Sequence, residues 1–269
     1  MRISLPGLPP EAIKAFQSVR VRDADPMERA KRDAAELNAK PGTLQGCDCP
    51  VCLNRGFTWE VDSAGSLFAR ECVCKAERRS LRALRESGLG DMAERCTFRT
   101  WRADEEWQQS LLEMARQYAK EPKGWFFLAG SPGTGKTHLC AAICRELIHG
   151  GMPGRYLLWR DFSVQAKALV NDGEAYQALI EPYKRVKLLY IDDLFKTARG
   201  REPTTGDVNL AFELLNHRYL DERKLTVLSS ELTLARLLRV DEALGSRVFQ
   251  RAGGNYADLS GMRNYRLGA

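Results

Sequence analysis

Hydrophobic positions along the chain follow two regimes. From about Thr97 onward, short apolar runs alternate with segments whose apolar residues recur at helical spacing, the pattern of βαβ units around a parallel sheet. The runs predict strands over 124–129, 155–159, 186–192, 225–230 and 256–260, joined by helices of which the clearest cover 136–149, 208–221, 232–238 and 241–251. Before Thr97 the pattern changes. Residues 9–39 open on Pro9-Pro10-Glu11 and continue rich in Ala, Lys, Glu and Arg, predicting two helices separated near Asp23-Ala24-Asp25-Pro26 and stopped by Lys40-Pro41-Gly42. Residues 57–61 and 66–70, flanking Asp62-Ser63-Ala64-Gly65, read as a hairpin. Residues 75–87 read as a helix with Arg78, Arg82 and Arg85 on one face and Leu81 and Leu84 on another, and residues 88–91 as a hinge. The expected organisation is a helical segment over 1–45, a cysteine module with a basic linker helix over 46–90, and an α/β core over 91–269.

Composition narrows the class. The chain has 269 residues, 44% hydrophobic and 28% charged, which excludes disorder throughout. No run approaches the roughly 18 apolar residues of a membrane span, so neither an integral membrane protein nor a membrane partner is expected. Met1-Arg2-Ile3-Ser4-Leu5-Pro6-Gly7 lacks the apolar core of a secretory signal, and the expected compartment is a reducing cytoplasm. The net charge of +6 includes no polybasic tail. It fits a protein that meets nucleic acid in one patch and fits many metabolic enzymes equally.

The first strand of the core runs into Gly130-Ser131-Pro132-Gly133-Thr134-Gly135-Lys136-Thr137, a G-x-x-x-x-G-K-[ST] loop that opens an amphipathic helix. Glycines let main-chain N–H groups turn around phosphate oxygens, and the helix adds the positive end of its dipole. Lys136 is expected to reach the β- and γ-phosphates of ATP, and Thr137 to give its hydroxyl to Mg²⁺. A second carboxylate element follows at Lys187-Leu188-Leu189-Tyr190-Ile191-Asp192-Asp193, where an apolar strand ends in two acids. Asp192 is the expected Mg²⁺ partner and Asp193 the general base for the attacking water. Positive charge at the γ-phosphate could come from Arg247 on a late helix, entering a neighbouring subunit's site, with Arg251 one turn on as runner-up; a solvated face is the competing reading for either.

Five of the eight cysteines, Cys47, Cys49, Cys52, Cys72 and Cys74, fall close together, and in a reducing compartment such clustering favours metal over disulfide. Cys49-Pro50-Val51-Cys52 and Cys72-Val73-Cys74 form C-x2-C-x19-C-x-C, four thiolates suited to tetrahedral Zn²⁺ in a zinc-ribbon-like module. Cys47 is a fifth candidate ligand, and a group of free or redox thiols is the alternative.

From Thr97 to the end, several segments resemble the bacterial and phage replicative helicase loaders of the DnaC/DnaI type, AAA+ ATPases close to the initiator DnaA and grouped with the IstB-like ATP-binding family. The resemblance rests on Cys96-Thr97-Phe98, residues 130–139, Leu189-Tyr190-Ile191-Asp192-Asp193-Leu194, Asn216-His217-Arg218-Tyr219, residues 226–234, Ser246-Arg247-Val248 and Asn264-Tyr265-Arg266. It implies a P-loop AAA+ sheet of the ASCE type without the usual helical lid, places His138 with the nucleotide-contacting loop, and assigns Arg247 as the trans-acting finger. It also implies a replicative hexameric helicase and single-stranded DNA as partners, and self-association in an ATP-dependent spiral. A similar cysteine module precedes the ATPase in the DnaI-type loaders and is absent from the transposition helper ATPases of the IstB type. One position departs from the pattern: Leu228-Ser229-Ser230-Glu231-Leu232 puts Glu231 where an amide sensor is usual, so either Ser230 serves as sensor or turnover is slow. Lys75, Arg78, Arg82, Arg85, Lys167, Lys196, Arg199 and Arg201 are candidate phosphate contacts, weighed against solvated faces. Trp101, Trp107 and Trp125 are expected to pack rather than stack on bases. Two alternatives remain: a transposition helper ATPase of the IstB type, which recruits a recombinase and binds duplex DNA, and an ATP-gated zinc adaptor that binds no DNA.

Overall fold

The computed structural model describes residues 25–45, 47–86, 90–197 and 201–265. The expected helix N-terminal to Asp25, the residues 87–89 of the expected hinge, and Arg199 lie outside the described residues. The chain divides into two compact units, residues 1–75 and 76–269.

In the first unit, helix α1 (Pro26–Ala39) starts where expected: the Asp25 carboxylate accepts from the Met27 N–H at 3.2 Å, and Pro26 occupies the first turn. Strands β1 (Phe57–Val61) and β2 (Leu67–Glu71) pair antiparallel with Phe57 opposite Glu71. The second strand begins one residue later than its pattern suggests because Ser66 belongs to the turn, its N–H bonded to the Asp62 carboxylate at 2.8 Å. Asn38 fastens the helix to the hairpin, donating to the Trp59 carbonyl at 2.8 Å and accepting the Trp59 N–H at 2.9 Å.

The second unit carries helices α2 (Cys74–Glu86, begun in the first unit), α3 (Gly90–Arg95) and α4 (Glu106–Lys120), then strand β3 (Trp125–Gly130) and helix α5 (Lys136–His149). Strand β4 (Gly154–Leu158), helices α6 (Trp159–Ala168) and α7 (Gly173–Arg185), strand β5 (Leu188–Asp192) and helix α8 (Thr205–Tyr219) follow. Strand β6 (Leu225–Ser230), helices α9 (Leu234–Val240) and α10 (Glu242–Ala252), and strand β7 (Tyr256–Leu259) complete it. The sheet is parallel with order β4-β5-β6-β3-β7, so the P-loop strand lies beside the strand that followed the second acid element, and β5 and β3 are separated by β6. Every residue of β3, β5 and β6 is buried, as a sheet covered on both faces requires. Alternate residues of β3 divide between the two faces, Trp125, Phe127 and Ala129 against Phe162, Leu210 and Val248, and Phe126 and Leu128 against Leu112, Leu139 and Ile143.

A buried cation closes the N-terminal ends of strands β5 and β6. Arg218 of α8 is fully buried, and its guanidinium donates to the carbonyls of Tyr183, Val186 and Leu225 at 2.7–2.9 Å and to the Thr226 hydroxyl at 3.0 Å. Burial brings its pKa down to about 9. Arg218→Met leaves those acceptors buried without donors and is expected to cost about 3 kcal/mol or more, roughly 6–12 °C in the thermal transition of this unit. An unchanged melting temperature would show that the guanidinium contributes nothing net.

Candidate nucleotide and metal sites

The loop after β3 turns as its glycines permit. Gly130, Gly133 and Gly135 have φ of 116°, 78° and 89°. A Cβ on Gly130 would lie 2.5 Å from the main chain at Leu259 and Ser260. The loop is braced from within and from outside: the Thr134 hydroxyl donates to the Ser131 carbonyl at 3.0 Å, while the Gly261 N–H bonds to the Ser131 hydroxyl at 3.2 Å and the Tyr265 N–H to the Gly133 carbonyl at 3.0 Å. Pro132, Gly133, Gly135, Lys136, Thr137 and His138 then line one cavity of about 530 Å³, together with Asp193, Lys196, Glu231, Cys96 and Tyr265.

Lys136 is only 6% exposed and donates to the carbonyls of Gly130 at 2.8 Å and Ser131 at 2.7 Å. Burial lowers its pKa, partly offset by the carboxylates of Glu231 and Asp193. His138 presents Nε2 to the Thr97 carbonyl at 3.0 Å, so that nitrogen carries the proton, and its ring meets Trp101 edge-on at 5.5 Å. Trp101 in turn packs so closely under the loop that a Cβ on Gly135 would fall 2.5 Å from its ring.

Asp192 is buried in a cage of hydroxyls. Its carboxylate accepts from Tyr190 at 2.7 Å, Thr137 at 3.1 Å, Tyr156 at 3.2 Å and the hydroxyl of Ser229. Burial, with the negative charge of Asp192, holds both tyrosine hydroxyls protonated and therefore donating. The direct contact between the Thr137 hydroxyl and the Asp192 carboxylate brings together two hard oxygen donors, which suit Mg²⁺. Asp193 stands on a left-handed residue with φ of 54° and its N–H bonds to the Ser229 hydroxyl at 2.9 Å. Burial and the neighbouring Asp192 charge raise its pKa, which makes it a better proton acceptor.

Several other expected residues lie elsewhere. Ser230 is fully buried, its hydroxyl donating to the Leu194 carbonyl at 2.7 Å and accepting the Leu232 N–H at 3.0 Å, so it pins the turn rather than facing the cavity. Arg247 is half-buried away from this cavity, its Nε donating to Asn216 at 2.9 Å and its guanidinium 4.9 Å from the Phe212 ring. Arg251 is engaged by the carbonyls of Glu222 and Lys224 at 3.2 and 3.3 Å. The helix-face reading of α2 does not hold as a solvated stripe: Arg78 is buried and Lys75 pairs with Glu71. Lys167 pairs with Asp207. Trp125 is fully buried and Trp101 and Trp107 are half-buried, as packing residues.

In the first unit, the sulfurs of Cys49, Cys52, Cys72 and Cys74 all lie within 4.8 Å of one another, with Cys49–Cys72 at 3.6 Å and Cys52–Cys74 at 3.5 Å. Tetrahedral thiolates around Zn²⁺ at about 2.3 Å would be spaced by about 3.8 Å. All four residues are buried. Burial opposes the Cys52 thiolate, but the Gly56 N–H and the three neighbouring thiols bring its pKa down to about 6. Cys47 packs beside the cluster without joining the set of four.

A strand–loop–helix of the P-loop kind, an acid-ended strand separated from it by one strand, and a fully parallel sheet define a P-loop core of the AAA+ type. A family model described as IstB-like ATP binding protein matches residues 54–252, and the chain belongs to that family. It is 29% identical over 256 residues to the phage-like element PBSX protein XkdC of Bacillus subtilis (strain 168), covering 90% of this chain and 95% of that one. It is 28% identical over 189 residues to the replicative helicase loader DnaC of Escherichia coli (strain K12), covering 68% and 74% of the two chains. A crystal structure of DnaI superposes with a TM-score of 0.50 at 18% identity, over 65% of this chain and 92% of that one, and so shares the fold. Among the described residues no helix is long and apolar enough to cross a membrane.

Proposed function

We propose that the chain is an ATP-hydrolysing loader that places a replicative hexameric helicase on single-stranded DNA in the cytoplasm. The observation that carries the reading is the convergence of Lys136, Thr137 and Asp193 on one braced pocket, with Asp192 buried behind it and held by the Thr137 hydroxyl, in a chain similar over most of its length to a helicase loader.

Lys136 would neutralise the β- and γ-phosphates, and Thr137 and Asp192 would hold Mg²⁺. When bound, the metal withdraws charge from the phosphate oxygens. Asp193 would take the proton of the attacking water as its oxygen bonds to the γ-phosphorus and the β–γ bridging oxygen departs. Arg247 does not line its own chain's cavity, and the resemblance gives it a role across a subunit boundary in a nucleotide-dependent spiral. The four cysteines would hold Zn²⁺ and stabilise the adaptor that grips the helicase.

The match to the IstB-like ATP-binding family keeps one second reading in view, the transposition helper ATPase of the IstB type that would recruit a recombinase to duplex DNA. Native mass measurement of the chain mixed with replicative helicases, with and without ATP, separates them. A loader forms an ATP-sensitive complex and prefers single-stranded oligonucleotides; duplex preference with no helicase complex would sink the proposal.

A further inference from the structure

Glu231 follows β6 directly and lines the nucleotide cavity, yet an ionised carboxylate has no proton to offer a phosphate. The structure sets a cation beside it. Lys196 Nζ donates to Glu231 at 2.8 Å and to Asp193 at 3.1 Å, and all three residues line the same cavity as Lys136 and Thr137. Burial disfavours the Lys196 ammonium, but the two carboxylates outweigh it and raise its pKa, so the charge is kept.

The backbone that presents Lys196 is fixed and strained. Leu194 and Phe195 are buried, the Leu194 N–H bonds to the Ser229 carbonyl at 2.8 Å, and the Ser230 hydroxyl holds the Leu194 carbonyl. Phe195 has φ of 63° and packs edge-on against Trp159 at 5.4 Å. Left-handed conformations at two non-glycine residues, Asp193 and Phe195, are unfavourable on their own and persist where surrounding structure enforces them. Here they fold the chain back so that the Lys196 N–H reaches the Asp193 carbonyl at 2.9 Å.

We propose that Lys196 is the cation that contacts the γ-phosphate, and that Glu231 is its positioning residue. The pair thereby takes over the sensor role for which Ser230 is unavailable. An ammonium has three N–H donors, so two carboxylates do not exhaust it. Moving toward phosphate oxygen, Lys196 releases Asp193 to accept the proton of water, which couples recognition of a triphosphate to activation of the base. Glu231 keeps the ammonium at the cavity wall meanwhile. The proposal rests on the ATP-hydrolysis reading.

The experiment compares Mg·ATP and Mg·ADP affinities, measured by competition against a fluorescent nucleotide, with kcat for the wild type, Lys196→Met, Lys196→Arg and Glu231→Gln. Lys196→Met is expected to weaken ATP by about 10-fold or more while ADP stays within about 2-fold, with kcat falling at least about 10-fold. Lys196→Arg recovers most of the ATP-over-ADP preference, and Glu231→Gln lies between. An ion pair that only supports the fold would lower the melting temperature and shift both nucleotides together. Lys196→Met with the wild-type ATP-to-ADP ratio and kcat would overturn the proposal. A wild type that binds both nucleotides and hydrolyses neither would instead end the hydrolysis reading, and the affinity ratio would still judge Lys196.

Discussion

Lys136→Ala is expected to weaken ATP binding by at least about 100-fold and to reduce hydrolysis to background. Its ammonium is desolvated among main-chain carbonyls, a setting in which attraction to phosphate is far stronger than in water. Among the described residues no other cation is seated inside the loop itself; Arg95 and Lys196 stand on the cavity wall and do not replace a charge held among the loop's own carbonyls. Removing the side chain leaves the loop's braces through Thr134, Gly261 and Tyr265 in place, so the fold should survive. Equilibrium binding of a fluorescent ATP analogue, with circular dichroism to confirm folding, checks this. Retention of affinity within about 3-fold would mean that the phosphates sit elsewhere.

The second large effect concerns metal. Treatment with a high-affinity chelator, or Cys52→Ser, is expected to unfold the first unit, because a two-stranded hairpin and one helix bury too little to be stable alone. Structural Zn²⁺ supplies on the order of 10–16 kcal/mol of apparent folding free energy in small finger modules, far beyond what this hairpin buries. Elemental analysis should give close to one zinc per chain in the wild type and almost none in the variant, with protease cleavage appearing between residues 47 and 75. Nucleotide affinity should be kept, since Lys136, Asp192 and Asp193 all belong to the other unit. A metal-free chain whose module stays resistant to protease would contradict the assignment.

Periodicity in the sequence carries much of the fold. Helix α5 and strand β6 fall on the residues that their apolar patterns mark, because the strand is buried along its length and the helix buries one face from end to end behind a glycine loop. Ends shift where side chains intervene. Helix α8 starts at Thr205 rather than Val208 because Thr204 and Asp207 form a reciprocal cap. Helix α9 starts after Leu232 because the Thr233 hydroxyl caps it. Strand β5 starts at Leu188 rather than Val186, whose carbonyl is taken by Arg218. Trp159, assigned to a strand by its neighbours, instead opens helix α6.

The site was legible where chemistry is written in contiguous residues, and dark where it is assembled across strands. The P-loop and the Asp192-Asp193 pair are local motifs. Tyr190 could have been found, since alternation puts it on the same side of β5 as Asp192. Tyr156, Ser229 and the Lys196–Glu231 contact join residues far apart in sequence and depend on strand order, which periodicity does not supply. The side to which Ser230 turns, toward the Leu194 carbonyl and the Leu232 N–H, was hidden for the same reason. Successive residues of a strand face opposite ways, and only register shows which one meets the cavity.

Calorimetric titration of ATP into this chain, with Mg²⁺ present and then with EDTA in its place, addresses the nucleotide site without intermediaries. One saturable, sub-millimolar site is expected, weakened about 10-fold or more by EDTA and equally by Asp192→Asn. A folded chain that gives no heat with millimolar ATP, or whose affinity is indifferent to both Mg²⁺ and Asp192, would contradict the assignment of this pocket to Mg·ATP.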